Sequence, residues 1–207
     1  MKKIIALLIL ATFAVALYLY PMMPEQMASH WNMYGEVDGY MDKFWGLFFI
    51  PVMSVAMFVL FLILPSIDPM KKNIQKFRKY YDGFILVFTL FFLYLYVLMI
   101  SWNLGYTFNM MQSLIPAFAG LFYYMGVMIG HARRNWFVGI RTPWTMSSDK
   151  VWDKTHKLGG KLFRIFGIII LLGILIPKYA FFILMIPAIG VSLFTVLYSY
   201  LEFRSLK

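Results

Sequence analysis

Cysteine is absent from these 207 residues, and acidic side chains are scarce: nine Asp and Glu against nineteen Lys and Arg, a net charge of +10. Without thiols there is no disulfide framework, no thiolate metal site and no cysteine nucleophile, and the redox compartment is left open. Charged residues of either sign make up only 14% of the chain while 62% is hydrophobic, which is too apolar for a water-soluble domain of this size. The charges cluster between long apolar runs instead of spreading over a surface. This excludes a disordered chain and a soluble nucleic-acid-binding protein. The solvent for most of this protein is lipid.

Six apolar runs are long enough to cross about 30 Å of hydrocarbon: residues 4–20, 44–64, 83–102, 114–130, 162–176 and 179–201. The predicted fold is therefore an all-α, polytopic membrane protein with six transmembrane helices. Pro177-Lys178 leaves so little chain between the fifth and sixth runs that these two must form a tight antiparallel helical hairpin. Seventeen of the nineteen lysines and arginines, Lys207 among them, fall in the termini and in two loops on one side, and only Lys43 and Lys178 fall on the other. Because basic segments resist translocation, both termini are expected in the cytoplasm. The first run, with Lys2-Lys3 before it and Ala14-Val15-Ala16 within it, also spells a cleavable signal peptide. It continues through Leu17 to Tyr20 without a polar flank, which favours a retained anchor.

The longest outer segment, residues 21–43, is polar, rich in turn residues and acidic, and is expected to fold as a compact cap on the membrane surface. Gly35 and the pair Asp38-Gly39 read as turn signals, and Trp31, Tyr34 and Tyr40 suit the headgroup layer. His30 is expected to bond a neighbouring carboxylate or carbonyl. One histidine with scattered carboxylates is a weak metal signal. The first inner loop opens with Asp68-Pro69, a capping residue followed by proline at a first helical position. Ile74, Phe77 and Tyr81 then recur at helical spacing among Lys71, Lys72 and Lys76. This predicts a short amphipathic helix that lies on anionic lipid or docks a partner.

The second inner loop, residues 131–161, is the most informative stretch. In Arg141-Thr142-Pro143-Trp144 the proline forces Thr142 out of the helical region. Ser147 or Ser148 can cap a helix beginning near Asp149. On a helical wheel Lys150, Lys154, Lys157 and Lys161 form one stripe, and the opposite face carries Trp152, Thr155, His156 and Gly159. The stripe is expected to rest on phosphates. The inward face either packs only, or joins Arg141 and Asn135 in a polar pocket at the inner mouth.

Within the apolar runs only Ser, Thr, Gly and Pro interrupt the hydrophobic residues, apart from Arg164 at the start of the fifth. Ion-coupled transport needs ionisable groups at depth, so a pump is disfavoured. Gly126 and Gly130 form a Gly-xxx-Gly pair, with Gly167 and Gly173 in the fifth run; such small residues permit close helix contact, expected here within one molecule. Pro51, Pro116 and Pro187 predict kinks or helix starts. No nucleophile elbow, zinc-protease motif or phosphate-cradling glycine loop is present, so neither an enzymatic activity nor a cofactor or bound metal is expected. The aromatic residues interleaved with the basic ones are interfacial tryptophans without a nucleic-acid-binding motif, and no direct nucleic-acid contact is expected.

The run from Asn135 through Gly139, Arg141, Thr142, Pro143 and Trp144 to Thr145, followed by Trp152, Thr155-His156 and Gly159, resembles the signature of the SdpI family of bacterial membrane proteins. The outer segment, with His30-Trp31-Asn32, Gly35, Asp38-Gly39 and Lys43, looks like the uncharacterised module that often precedes that signature. The resemblance implies an N-terminal module at 1–64, a basic cytoplasmic linker helix at 65–82 and a four-span region at 83–207. It also implies a multi-pass cell-membrane protein giving immunity to a secreted, membrane-active toxic peptide, with a cytoplasmic repressor-type protein drawn to the membrane as a second partner. Two other readings stay open on the residues alone. One is a permease or flippase for a small apolar or amphipathic solute. The other is an interfacial enzyme with His156 as base and Arg141 as anion holder.

Overall fold

The computed structural model describes residues 1–206; Lys207, counted above among the cytoplasmic charges, lies outside the described residues. Six helical segments are long and apolar enough to cross a membrane: Lys2–Met22, Lys43–Ile67, Arg78–Asn103, Met110–His131, Asp149–Leu175 and Pro177–Arg204. Their outward surfaces are apolar as well. Leu7 and Leu10 on the first, Val59 and Ile63 on the second and Leu193 and Leu197 on the last are all exposed. A helix apolar all round needs a non-aqueous solvent, so the chain is a multi-pass membrane protein.

The helices are α1 (Lys2–Leu19), α2 (Lys43–Ile67), α3 (Lys71–Lys76), α4 (Arg78–Asn103), α5 (Met110–His131), α6 (Pro143–Ser147), α7 (Asp149–Ile169), α8 (Leu172–Leu175) and α9 (Ala180–Arg204). One end of the bundle collects the chain's basic segments and is called here the basic end. The opposite end carries the outer segment, which is a two-stranded antiparallel hairpin of β1 (Gln26–Trp31) and β2 (Val37–Asp42). Gly35 supplies the turn, with φ of +84°. Asp38-Gly39 does not make a turn; it lies within β2, with Gly39 opposite His30 at a bulge. A Cβ on Gly39 would stand 2.9 Å from that of His30, so glycine here admits the histidine across the ladder.

The basic helix and the fifth span, which the composition separates, are one element. α7 runs unbroken from Asp149 to Ile169, amphipathic at its start and apolar at its end. Ser148 caps it, its hydroxyl accepting from the Val151 N–H at 3.4 Å. α5 and α7 pack backbone to backbone, and small residues allow it. Gly160 is so placed that a Cβ would come 2.7 Å from the Gly130 Cα and 2.8 Å from the Gly126 carbonyl oxygen. Gly167 meets the Tyr123 backbone in the same way. The Gly-xxx-Gly pair thus packs within the molecule, against a glycine of α7 that the sequence reading passed over. Pro51, Pro116 and Pro187 all lie inside helices, and none starts one.

The interior divides into three packed cores, one at each end of the bundle and one running the length of α5. At the basic end Ile5, Ile74, Phe77, Tyr81, Val138 and Trp152 join α1, α3, α4, α7 and the second inner loop. α5, α7 and α9 share a second core around Ile115, Phe166 and Leu184. At the hairpin end Met27, Leu47 and Tyr96 seat the hairpin on α2 and α4.

Candidate functional site

Four features build the basic end: the α2–α3 connection, the folded loop 132–142, the short helix α6 and the first turns of α7. The loop folds around Asn135, which is fully buried. Its Oδ1 accepts from the N–H groups of Phe137 and Val138 at 3.0 and 2.7 Å, and its Nδ2 donates to the carbonyls of Arg133 and Val138 at 2.8 and 2.9 Å. An amide with donors and acceptors so engaged has nothing left for a ligand. Gly139 follows with φ of +120°, and a Cβ there would come 2.4 Å from His156 Nε2. Both the backbone conformation and the space demand glycine.

His156 is buried, stacked on Trp152 with ring centroids 3.8 Å apart. Its Nδ1 lies 2.8 Å from the Trp152 carbonyl, and its Nε2 accepts from the Ile140 N–H at 3.0 Å. A carbonyl can only accept and an amide N–H can only donate, so the ring is the neutral tautomer with its proton on Nδ1. Trp152 Nε1 donates to the Ala132 carbonyl at 2.9 Å. The inward face of α7 is therefore buried as its pattern demands, and it clamps both ends of the folded loop. With both nitrogens committed, His156 has no free position from which to act as a base.

Thr142 is extended, at φ −114° and ψ 162°, as Pro143 requires, and forms a reciprocal capping box with Thr145 over α6. The Thr142 hydroxyl also meets that of Ser199 on α9 at 3.0 Å, and Trp144 packs on Tyr200 with centroids 5.1 Å apart. Contact of Gly159 with Thr195 sets an antiparallel register that brings Thr155 level with Ser199. Thr155 is fully buried, and its hydroxyl has no hydrogen-bond partner. Arg141 is exposed, and its guanidinium bonds the Trp136 carbonyl. The pocket expected from Arg141 and Asn135 is accordingly not formed by them: one side chain turns outward along its own loop and the other is consumed inside it.

A polar cleft lies beside the loop instead. Two adjoining cavities of about 350 and 180 Å³ share Lys76, Arg133 and Asp153. Arg134 and Asp149 line the larger, and His131, His156 and Lys157 the smaller. Arg133 pairs with Asp153 at 3.3 Å and Arg134 with Asp149 at 2.9 Å. Among the predicted basic residues, Lys150, Lys154, Lys157 and Lys161 are exposed along α7, and Lys71, Lys72 and Lys76 along α3. Lys154 departs from the expected lipid-facing stripe by pairing with Glu202 of α9 at 2.6 Å.

Asp68-Pro69 does not open a helix as expected: α3 starts at Lys71, with Met70 before it and no side-chain cap, and Pro69 stands in the preceding turn. Asp68 instead joins two loops. It is buried; Oδ1 accepts from the Met70 N–H at 2.6 Å and Oδ2 from the Trp136 N–H at 2.9 Å. Asn73 of α3 adds a bond from Nδ2 to the Arg134 carbonyl at 2.8 Å. These two polar side chains of the α2–α3 region hold the backbone of loop 132–142. Their only sequence signal is the polar character of the stretch after α2.

At the hairpin end His30 Nδ1 and Asp38 Oδ1 are 2.5 Å apart on an exposed face, as the carboxylate-bonded reading expects. Lys43 pairs with Glu25 at 2.6 Å. Asn32 closes the turn, its Oδ1 accepting from the Tyr34 and Glu36 N–H groups at 2.9 and 3.1 Å. Trp31 packs edge-on against Trp102. Two asparagines outside the predicted set fasten the hairpin. Asn103, at the end of α4, accepts from the Ala28 N–H at 2.8 Å and donates to the Ala28 carbonyl at 3.0 Å, imitating a neighbouring strand. Asn109 caps α5 and donates to the Tyr34 carbonyl at 3.1 Å. Among the described residues no group of three or more His, Asp and Glu is placed to hold a metal ion.

The folded loop, α7 and α9 coincide with a region of known kind. Residues 131–199 match the SdpI/YfhL protein family, and residues 7–55, which hold most of α1 and the whole hairpin, match a domain of unknown function, DUF1648. The chain is 27% identical over 209 aligned residues to the Immunity protein SdpI of Bacillus subtilis (strain 168), covering 100% of this chain and 98% of that one. No solved structure matches. The resemblance read from the two loops thus holds: in one six-helix membrane protein a region similar to the SdpI/YfhL family follows a region similar to DUF1648.

Proposed function

We propose that this chain is a membrane immunity and signalling protein that protects its cell from a membrane-active toxic peptide. The observation that carries the reading is the end-to-end similarity to the Immunity protein SdpI. In this reading the hairpin faces outward and both termini lie in the cytoplasm, as the distribution of lysine and arginine favours. Peptide engages the hairpin or the helices in the bilayer, and a repressor-type protein is held at the basic end. The protein acts by binding, without catalysis.

The fold offers a route between the two faces. α4 ends at Asn103, which grips β1, and begins beside Phe77 and Tyr81, which share a core with Val138 of the folded loop. A tilt of this one helix moves both attachments. A peptide that binds one tilt better than the other shifts the balance between them, and one that binds both equally transmits nothing.

The test is expression in cells sensitive to such a peptide. Protected growth is expected, together with retention of a co-expressed repressor in the membrane fraction. Absence of protection at normal protein level overturns the immunity reading. Flux of a small amphipathic solute through liposomes holding only this protein would replace it with a permease.

A further inference from the structure

The cleft at the basic end contains more positive charge than the protein neutralises. Its two carboxylates, Asp149 and Asp153, are taken by Arg134 and Arg133. Lys76 on one wall and Lys157 on the other form no ion pair among the described residues. Like charges gathered in a concave site repel one another and raise the local potential, which an anion relieves.

The position of these cations selects the anion. α4 begins at Arg78, two residues after Lys76, and α5 ends at His131, two residues before Arg133. Both helices are spans. Lys76 lies seven residues before the apolar run that begins at 83 and Arg133 three after the one that ends at 130, so both stand within about two helical turns of the hydrocarbon, at the depth of lipid headgroups. The His131 ring, stacked on Tyr80 with centroids 3.7 Å apart, forms an aromatic rim of the smaller cavity. Lysine serves as a point-charge binder of phosphate.

We propose that this cleft is a binding site for a phosphate group, supplied by the headgroup of an anionic phospholipid and held between Lys76 and Lys157, with Arg133 lining the same cleft. The assignment does not depend on the immunity reading. An ordered lipid wedged between α3 and α7 would tie the two inner loops together, adding to the Asp68 link.

The experiment uses the whole protein in detergent, with bound lipid counted by native mass spectrometry after addition of phosphatidylglycerol or phosphatidylcholine. Preferential retention of phosphatidylglycerol is expected. The double variant K76Q/K157Q should weaken that retention by about 30-fold, at roughly the contribution of a basic residue near an anionic surface for each lysine. The charge-matched control K2Q/K3Q, on α1 and outside the cleft, should retain the lipid. An equal loss in both variants means diffuse surface charge and overturns the proposal, as does unchanged retention in K76Q/K157Q. Unfolding temperature is followed for every variant, so that loss of fold is not taken for loss of lipid. Competition by inorganic phosphate, if it displaces the lipid, shows that the phosphate group alone is recognised; failure to compete shows that the lipid is recognised as a whole.

Discussion

The carboxylate of Asp68 accepts the backbone N–H of Trp136 at 2.9 Å, joining two loops that lie 68 residues apart in the chain. The same carboxylate holds the Met70 N–H at 2.6 Å. One buried side chain thereby holds both the turn before α3 and the folded loop.

Asp68→Ala removes both acceptors from a buried position. A hydrogen bond to a charged group contributes about 1.5–3 kcal/mol, so a destabilisation of this order is expected, with faster proteolysis at loop 132–142. Asp68→Asn, which retains one acceptor oxygen, should lose less. Thermal unfolding in detergent and limited proteolysis check both, and an unchanged cleavage pattern in Asp68→Ala would remove the link from the account.

His156→Phe keeps the stack on Trp152 and deletes both hydrogen bonds. The half-buried Ile140 N–H would lose its partner, at a cost of about 1 kcal/mol. The outcome expected is a lower unfolding temperature and a lower protein level, with protection per molecule unchanged. Lost protection at a normal level and normal stability would instead assign the imidazole a direct role.

Gly160→Ala forces a methyl into the α5–α7 contact, 2.7 Å from the Gly130 Cα. Backbone atoms cannot rotate aside, so a penalty of about 1–3 kcal/mol follows from overpacking. Gly190→Ala on α9 meets nothing within 4 Å and should be neutral or slightly stabilising, since alanine is the better helix former. Comparable folded yields of the two variants by size-exclusion chromatography would contradict this helix contact.

Sidedness is directly measurable because the chain has no native cysteine. Tyr40, on the hairpin, and Lys71, on α3, are both exposed. A membrane-impermeant maleimide applied to intact cells should label Tyr40→Cys and leave Lys71→Cys untouched until the cells are broken. The reverse pattern would invert the proposed orientation and with it the placement of peptide and repressor.

What composition and spacing settle here is local. Insertion into lipid responds to the summed hydropathy of about twenty consecutive residues, so the six spans can be read directly. The extended Thr142, the cap at Ser148 and the buried face of α7 follow from neighbours within a turn or two. The hairpin was visible only as a polar segment with turn residues. Its bulge at Gly39 and its attachment to Asn103 depend on a partner strand and on a helix end 75 residues away. The tertiary structure likewise decides which cations are neutralised. Lys154 and Lys157 are alike in sequence, yet the first reaches Glu202 and the second faces the cleft. Charge pairing and polar anchoring act across space between segments distant in the chain, while partition into the bilayer is decided segment by segment.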